Sequence, residues 1–139
     1  MNPTARRNAR YYALQALYQW QLSGNPTPEI EAEFIANQIK KTTDLDYFKE
    51  LLHSVTQQFK EMDQHMAPCL SRPIDELDPI ELAILRLSIY ELAKRPDVPY
   101  KVVINEALEL TKRFGSVEGY KFVNGVLDQV AKKLRAVEM

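Results

Sequence analysis

The chain has 139 residues, 45% of them apolar and 27% charged, and carries a formal net charge of −1. That length suits one domain or two closely packed subdomains, and the composition excludes a disordered, fibrous or disulfide-framed chain. Cys69 is the only cysteine, and no apolar run is long enough to span a bilayer or to form the core of an export signal, so a cytoplasmic location without membrane attachment is expected.

Charge is unevenly spread. No acid precedes Glu29, whereas Arg6, Arg7 and Arg10 fall close together. A basic arm on a near-neutral chain can attract phosphate at short range, because screening confines its field to about 8 Å at physiological salt. Apolar residues recur at helical spacing throughout, and no run alternates long enough to predict a strand. The expected class is all-α, with about six or seven helices.

The first helix is predicted from Thr4 to Leu22, with Ala5, Ala9, Tyr12, Ala13, Ala16, Leu17 and Trp20 on its core face. The second starts with Thr27 as N-cap and Pro28 as the first helical residue, and turns Ile30, Phe34, Ile35 and Ile39 inward. The third begins near Asp44 and buries Phe48, Leu51, Leu52, Val55, Phe59 and Met62. Pro68 and Pro73 break the chain, with room for a short helix between His65 and Leu70.

Asp78, Pro79 and Glu81 then supply an N-cap, a proline at the first helical position and a capping-box acid. The helix they start, Pro79 to Lys94, is apolar nearly all round, as befits the centre of a bundle. Pro96 and Pro99 frame a linker. A fifth helix is predicted from Lys101 to Phe114 with Gly115 as its C′ residue, and a last one from Ser116, its cap, to Arg135. In the last helix Val123, Val126, Leu127, Val130 and Leu134 face inward, and Gly125 is expected to allow close helix approach. The natural division falls between residues 68 and 78, giving helical subdomains over 1–67 and 74–139, each a three-helix bundle.

Catalytic signatures are missing. Gly115, Gly119 and Gly125 match no phosphate-binding loop. His65 and Cys69 stand four apart with no third ligand of metal type, and His53 reads as a surface residue. Asp75, Glu76, Asp78 and Glu81 gather at a helix N-terminus, where the macrodipole favours acids. No enzyme activity, cofactor or metal is expected.

Two features point to binding. Arg7, Tyr11, Leu14, Tyr18 and Leu22 line the side of the first helix opposite its core face, with Arg10 on the flank. This is a surface suited to a partner, the alternative being a second buried face. At the entry to the last helix, free backbone N–H groups, Lys121 and Phe122 suit a phosphate and an unpaired base. Against that, Glu118 opposes an anion, and Phe122 can instead join Val126 and Val130 in the core.

The strings ARRNARYYALQALYQW, LDPIELAILRLSIYEL, RPDVPYKVVINEALELTKRFG and KFVNGVLDQV, in this order and spacing, resemble the NusB transcription antitermination factors. The resemblance covers essentially the whole chain. It implies two helical subdomains and pairing with the small-subunit ribosomal protein NusE. The pair would bind the single-stranded boxA element of nascent ribosomal RNA and help RNA polymerase pass terminators as part of an antitermination complex. It implies RNA contact for Arg6, Arg7 and Arg10, matching the family's arginine-rich helix, and for Lys121 and Phe122. It implies NusE contact for Tyr18 and Glu81, a face that Tyr11 and Leu22 extend by helical spacing. Asn8 departs from the pattern, since close relatives often carry another arginine there. Two other functions compete. One is the accessory domain of an RNA methyltransferase, which would need a separate catalytic subunit. The other is a structural helical protein that self-associates through the Tyr11–Tyr18 face.

Overall fold

A computed structural model of the chain describes residues 2–139. It contains helices α1 (Pro3–Ser23), α2 (Thr27–Asn37), α3 (Leu45–Met66), α4 (Pro79–Lys94), α5 (Tyr100–Phe114) and α6 (Val117–Leu134), with short 3-10 turns at Ala67–Cys69, Ile74–Glu76 and Ala136–Glu138. Among the described residues there is no strand. The all-α expectation holds, with six α-helices.

Two compact units divide between Gln58 and Phe59. The boundary lies inside α3, where Gln58 leaves helical geometry at φ −115° and ψ 15°. It therefore precedes the proline-rich connector at which the residue pattern predicts the division. A backbone kink inside an otherwise periodic helix leaves no proline or glycine to announce it.

In the first unit, α1 opens on Asn2, whose side-chain oxygen accepts the Thr4 N–H at 2.8 Å, and closes on Gly24 in the left-handed region at φ 69°. α2 packs against α1, and the small residues Ala9, Ala13 and Ala16 of α1 are fully buried. The Phe34 and Phe48 rings, 6.2 Å apart, join α2 to α3. α2 starts differently from its pattern. Thr27 is already helical and its hydroxyl donates to Thr56 Oγ1 at 3.2 Å, so Pro26 occupies the cap position. Ile30 and Phe34, one turn apart, fill the narrow inward stripe, which leaves Ile35 exposed.

The loop before α3 is tied back to α1. Asp44 N–H donates to the Ala5 carbonyl at 3.0 Å, and Asn8 Nδ2 donates to Thr42 Oγ1 at 3.1 Å. Asp44 Oδ1 in turn accepts the Tyr47 N–H at 3.1 Å, capping α3. Both ends of this short segment thus hold the first turns of α1.

In the second unit α4 is the centre, with α5 and α6 packed on it and on each other. Every residue from Ala83 to Leu92 is buried. Arg86 is carried inside this stretch and is satisfied there: Nε and Nη2 donate to the two Asp63 carboxylate oxygens at 2.9 and 2.8 Å, and its guanidinium lies 4.9 Å from the centre of the Phe59 ring. Beyond α6, Arg135 donates to the carbonyls of Glu91, Leu92 and Arg95, closing the C-terminal end of α4. Glu138 accepts the Tyr100 N–H at 2.6 Å and also pairs with Arg135. Those bonds, the backbone one foremost, hold its carboxyl below the usual glutamate range.

Two glycines differ from expectation. Gly115 is extended at φ −114° rather than left-handed; its N–H still caps the Thr111 carbonyl, and a Cβ there would meet that oxygen at 3.0 Å. Gly125 is exposed, and a Cβ there would meet nothing within 4 Å, so no helix approaches it.

The Arg86–Asp63 pair yields a contrast. Asp63→Ala leaves a buried guanidinium without its carboxylate and should cost about 3–5 kcal/mol. The double replacement Arg86→Met with Asp63→Leu should recover most of that loss. Urea unfolding of the two variants checks both, and equal stabilities contradict the pairing as described.

Candidate nucleic-acid interface

The arginine cluster separates into three environments along α1. Arg7 is exposed, Arg6 is half-buried, and Arg10 is only 4% exposed. Arg6 and Arg10, one turn apart, share the edge of α1 that meets the first turn of α3, where the buried Tyr47 ring lies. The Arg6 guanidinium carbon sits 4.3 Å from the ring centre and that of Arg10 5.5 Å from it. Arg10 therefore belongs to the packing of this unit, not to the flank of an outer face.

The outer stripe of α1 is also interrupted. Leu14 is fully buried, which realises the second-buried-face alternative at that position. Tyr11 is half-covered and meets Tyr12 edge-on at 5.1 Å. Tyr18 is partly exposed, and Leu22, one turn on, is 59% exposed. What faces outward is an arginine end, Arg7 with part of Arg6, and an apolar end, Tyr18 with Leu22.

In the second unit, Asp78 Oδ1 caps α4 by accepting the N–H groups of Ile80 and Glu81 at 2.7 and 3.3 Å. The reciprocal half of a capping box is not formed. The Glu81 side chain is more than nine-tenths buried and lies against Gly119 of α6, where a Cβ would come within 2.6 Å of Oε2. Its carboxylate makes no hydrogen bond among the described residues. Burial first, and the neighbouring Asp78 charge second, push its carboxyl above the usual glutamate range, while Arg72 pulls the other way. Gly119 is thus the space in which Glu81 is stored, and its N–H is capped by Ser116 Oγ at 2.9 Å.

The entry of α6 gathers cations over aromatic faces. Arg72 approaches the half-buried Phe122 ring at 5.9 Å, and Lys112 the Tyr120 ring at 5.8 Å. Lys121 is exposed. A cleft of about 280 Å³ opens here, lined by Thr111, Lys112, Gly115, Ser116, Tyr120 and Lys121. Partly exposed aromatic rings next to cations can stack an unpaired base beside its phosphate. Residue pattern alone singles out Lys121 and Phe122 but not Arg72, which lies in the proline-framed connector. It also passes over Tyr47 and Gly119, whose roles exist only once α1 meets α3 and α4 meets α6. Among the described residues no three metal-type ligands converge, and no helix is long and apolar enough to cross a membrane.

These are the features of an all-helical binding module. A model of the NusB family matches residues 7–132. The transcription antitermination protein NusB of Pectobacterium carotovorum subsp. carotovorum is 56% identical over 135 residues, covering 97% of each chain. That of Alcanivorax borkumensis is 53% identical over 136 residues, covering 98% of this chain and 91% of the relative. Among solved structures, the antitermination factors NusB and NusE in complex with dsRNA match with a TM-score of 0.83 at 31% identity, over 95% of this chain and 99% of that one. NusB from Aquifex aeolicus matches with a TM-score of 0.76 at 29% identity, over 97% and 93%. The chain belongs to the NusB family and is a transcription antitermination factor, not an enzyme.

The setting of Glu81 has a signed consequence. A carboxyl whose folded-state pKa is raised favours the fold while protonated, and that contribution is lost as pH rises through the folded value. Glu81→Gln should therefore melt higher than wild type at pH 8, with the difference shrinking as pH falls toward the ordinary glutamate range. A variant that melts lower at pH 8 contradicts the burial cost.

Proposed function

We propose that this chain is a cytoplasmic RNA-binding adaptor that pairs with the ribosomal protein NusE, holds the single-stranded boxA element of nascent ribosomal RNA, and so helps RNA polymerase pass terminators. The observation that carries this reading is the acid-free α1, on which Arg7 and part of Arg6 stay accessible on a capped, tethered helix. A relative that matches over nearly the whole chain was solved with NusE and dsRNA. For this chain a single strand is favoured by the partly exposed Phe122 ring, since only an unpaired base offers its face for stacking.

In this mechanism Arg6 and Arg7 neutralise backbone phosphates, and Lys121 adds a third cation beside the base held on Phe122. Arg10 contributes by keeping the arginine end of α1 in place. NusE docks on the apolar end of α1, at Tyr18 and Leu22 with the rim of Tyr11, and separately on Glu81. A carboxylate partly desolvated and lacking a hydrogen bond is prepared to receive a cation from a partner, because part of its desolvation cost is met before binding.

Each phosphate neutralised on a single strand contributes about −0.7 to the slope of log K against log salt. Arg6→Ala with Arg7→Ala should flatten that slope by up to about 1.4 for a boxA oligonucleotide, whereas Arg10→Ala should mainly lower the melting temperature. In the same protein series Tyr18→Asp should abolish NusE binding with helicity unchanged. An unaltered salt slope removes the RNA assignment, and normal NusE binding by the Tyr18 variant removes the partner face.

A further inference from the structure

We propose that the cleft between the end of α5 and the start of α6 is a second base-binding subsite on the RNA path, taking a nucleobase further along the strand than the one held on Phe122. The proposal rests on the reading of Lys121 and Phe122 as RNA contacts and adds where the strand goes beyond them.

The cleft measures about 280 Å³, just below the roughly 300–1,000 Å³ of pockets that take drug-sized ligands, so it suits a single planar ring system. Its apolar wall is Val117, 72% exposed, and the half-buried Tyr120 ring. Its polar groups are few. The Tyr120 hydroxyl makes no hydrogen bond among the described residues. Ser116 Oγ accepts the Gly119 N–H and keeps its own proton to donate. An aromatic wall with hydroxyls beside it offers an unpaired base a face to stack on and partners for its edge.

Charge favours a base over a phosphate inside the cleft. Lys112 lies 5.8 Å from the Tyr120 ring centre but is already paired with Glu109 at 3.3 Å, and Glu118 is exposed in the first turn of α6. Lys121 is exposed and makes no ion pair among the described residues, so it remains for the backbone. At about 100° per residue, Tyr120 and Phe122 stand on opposite flanks of α6 with Lys121 between them. A strand whose phosphate is held at Lys121 therefore has an aromatic ring on either side.

The test is an abasic scan of a single-stranded boxA oligonucleotide with its flanking nucleotides, titrated at one salt concentration. On wild type, removing the base seated on Phe122 and removing the base seated on Tyr120 should each weaken binding about 5-fold or more, the loss of one stacked base. Tyr120→Leu, which keeps an apolar side chain, should erase one of these losses and leave the other; Phe122→Leu should do the reverse. Val117→Glu alters an exposed residue, puts a carboxylate on the cleft wall and should shrink the same loss as Tyr120→Leu; it decides the matter if Tyr120→Leu does not fold. A scan that responds to Phe122→Leu but is unchanged, or lowered equally at every position, by Tyr120→Leu and Val117→Glu overturns the subsite alone. A scan that responds to the cleft variants and not to Phe122→Leu supports the subsite and removes Phe122. If none of these variants, nor Lys121→Ala, alters RNA affinity, the reading of the α6 entry as an RNA contact is overturned and the subsite with it.

Discussion

The Tyr47 ring carries two guanidinium groups, Arg6 at 4.3 Å and Arg10 at 5.5 Å. Two like charges this close repel, and each loses hydration on approaching a buried ring. The negative face of the ring offsets part of these costs. The arrangement survives because the loop that delivers Tyr47 is bonded to α1 through Asp44 and Ala5, and through Thr42 and Asn8. The first turns of α1, the pose of its arginines and the start of α3 are thus one interlocked piece. Asn8 is part of it, its side chain tying the helix to the loop at Thr42.

The second unit follows a different economy. Charges buried around α4 are nearly all satisfied at short range, Arg86 by Asp63 and Arg135 by the carbonyls that end the helix. Glu81 is the exception, buried against Gly119 with no hydrogen bond and with its carboxyl pushed upward. A partly desolvated acid at the start of a helix, its carboxyl pushed upward, is a stability cost of the kind that binding sites retain. Gly119 makes the cost possible, since any side chain there would displace the carboxylate.

Much of this fold is written in local signals. Asp78 before Pro79, and Ser116 before α6, mark helix starts that the structure keeps, because caps act within one turn. Tertiary contacts decided the rest. Thr27 gave up its capping role for a bond to Thr56, and Leu14 was buried although it lies opposite the main stripe of α1. Arg10 looked like a surface cation because no residue near it in sequence reveals the ring that receives it. Gly125 had the right residue type for close packing but no helix beside it. The kink at Gln58 has no residue signature at all. Of the candidate site, Arg7, Tyr18, Leu22 and Lys121 were legible as outward residues. The supporting residues Tyr47, Arg72 and Gly119 were not, since their meaning lies in residues distant along the chain.

The adaptor reading joins two ligands on one rigid helix: Arg7 and Tyr18 are eleven residues apart on α1, about 16 Å along its axis. A protein docked at Tyr18 lies within reach of RNA held at Arg7 and can extend the basic surface with its own groups. The central claim is therefore coupling, and it is measured by titrating a boxA oligonucleotide into this chain with and without saturating NusE at one fixed salt concentration. The account predicts that NusE tightens RNA binding by roughly 5- to 150-fold, and that RNA tightens NusE binding by the same factor, as linkage requires. Equal RNA affinity with and without NusE would contradict it, leaving two independent sites on one helical scaffold.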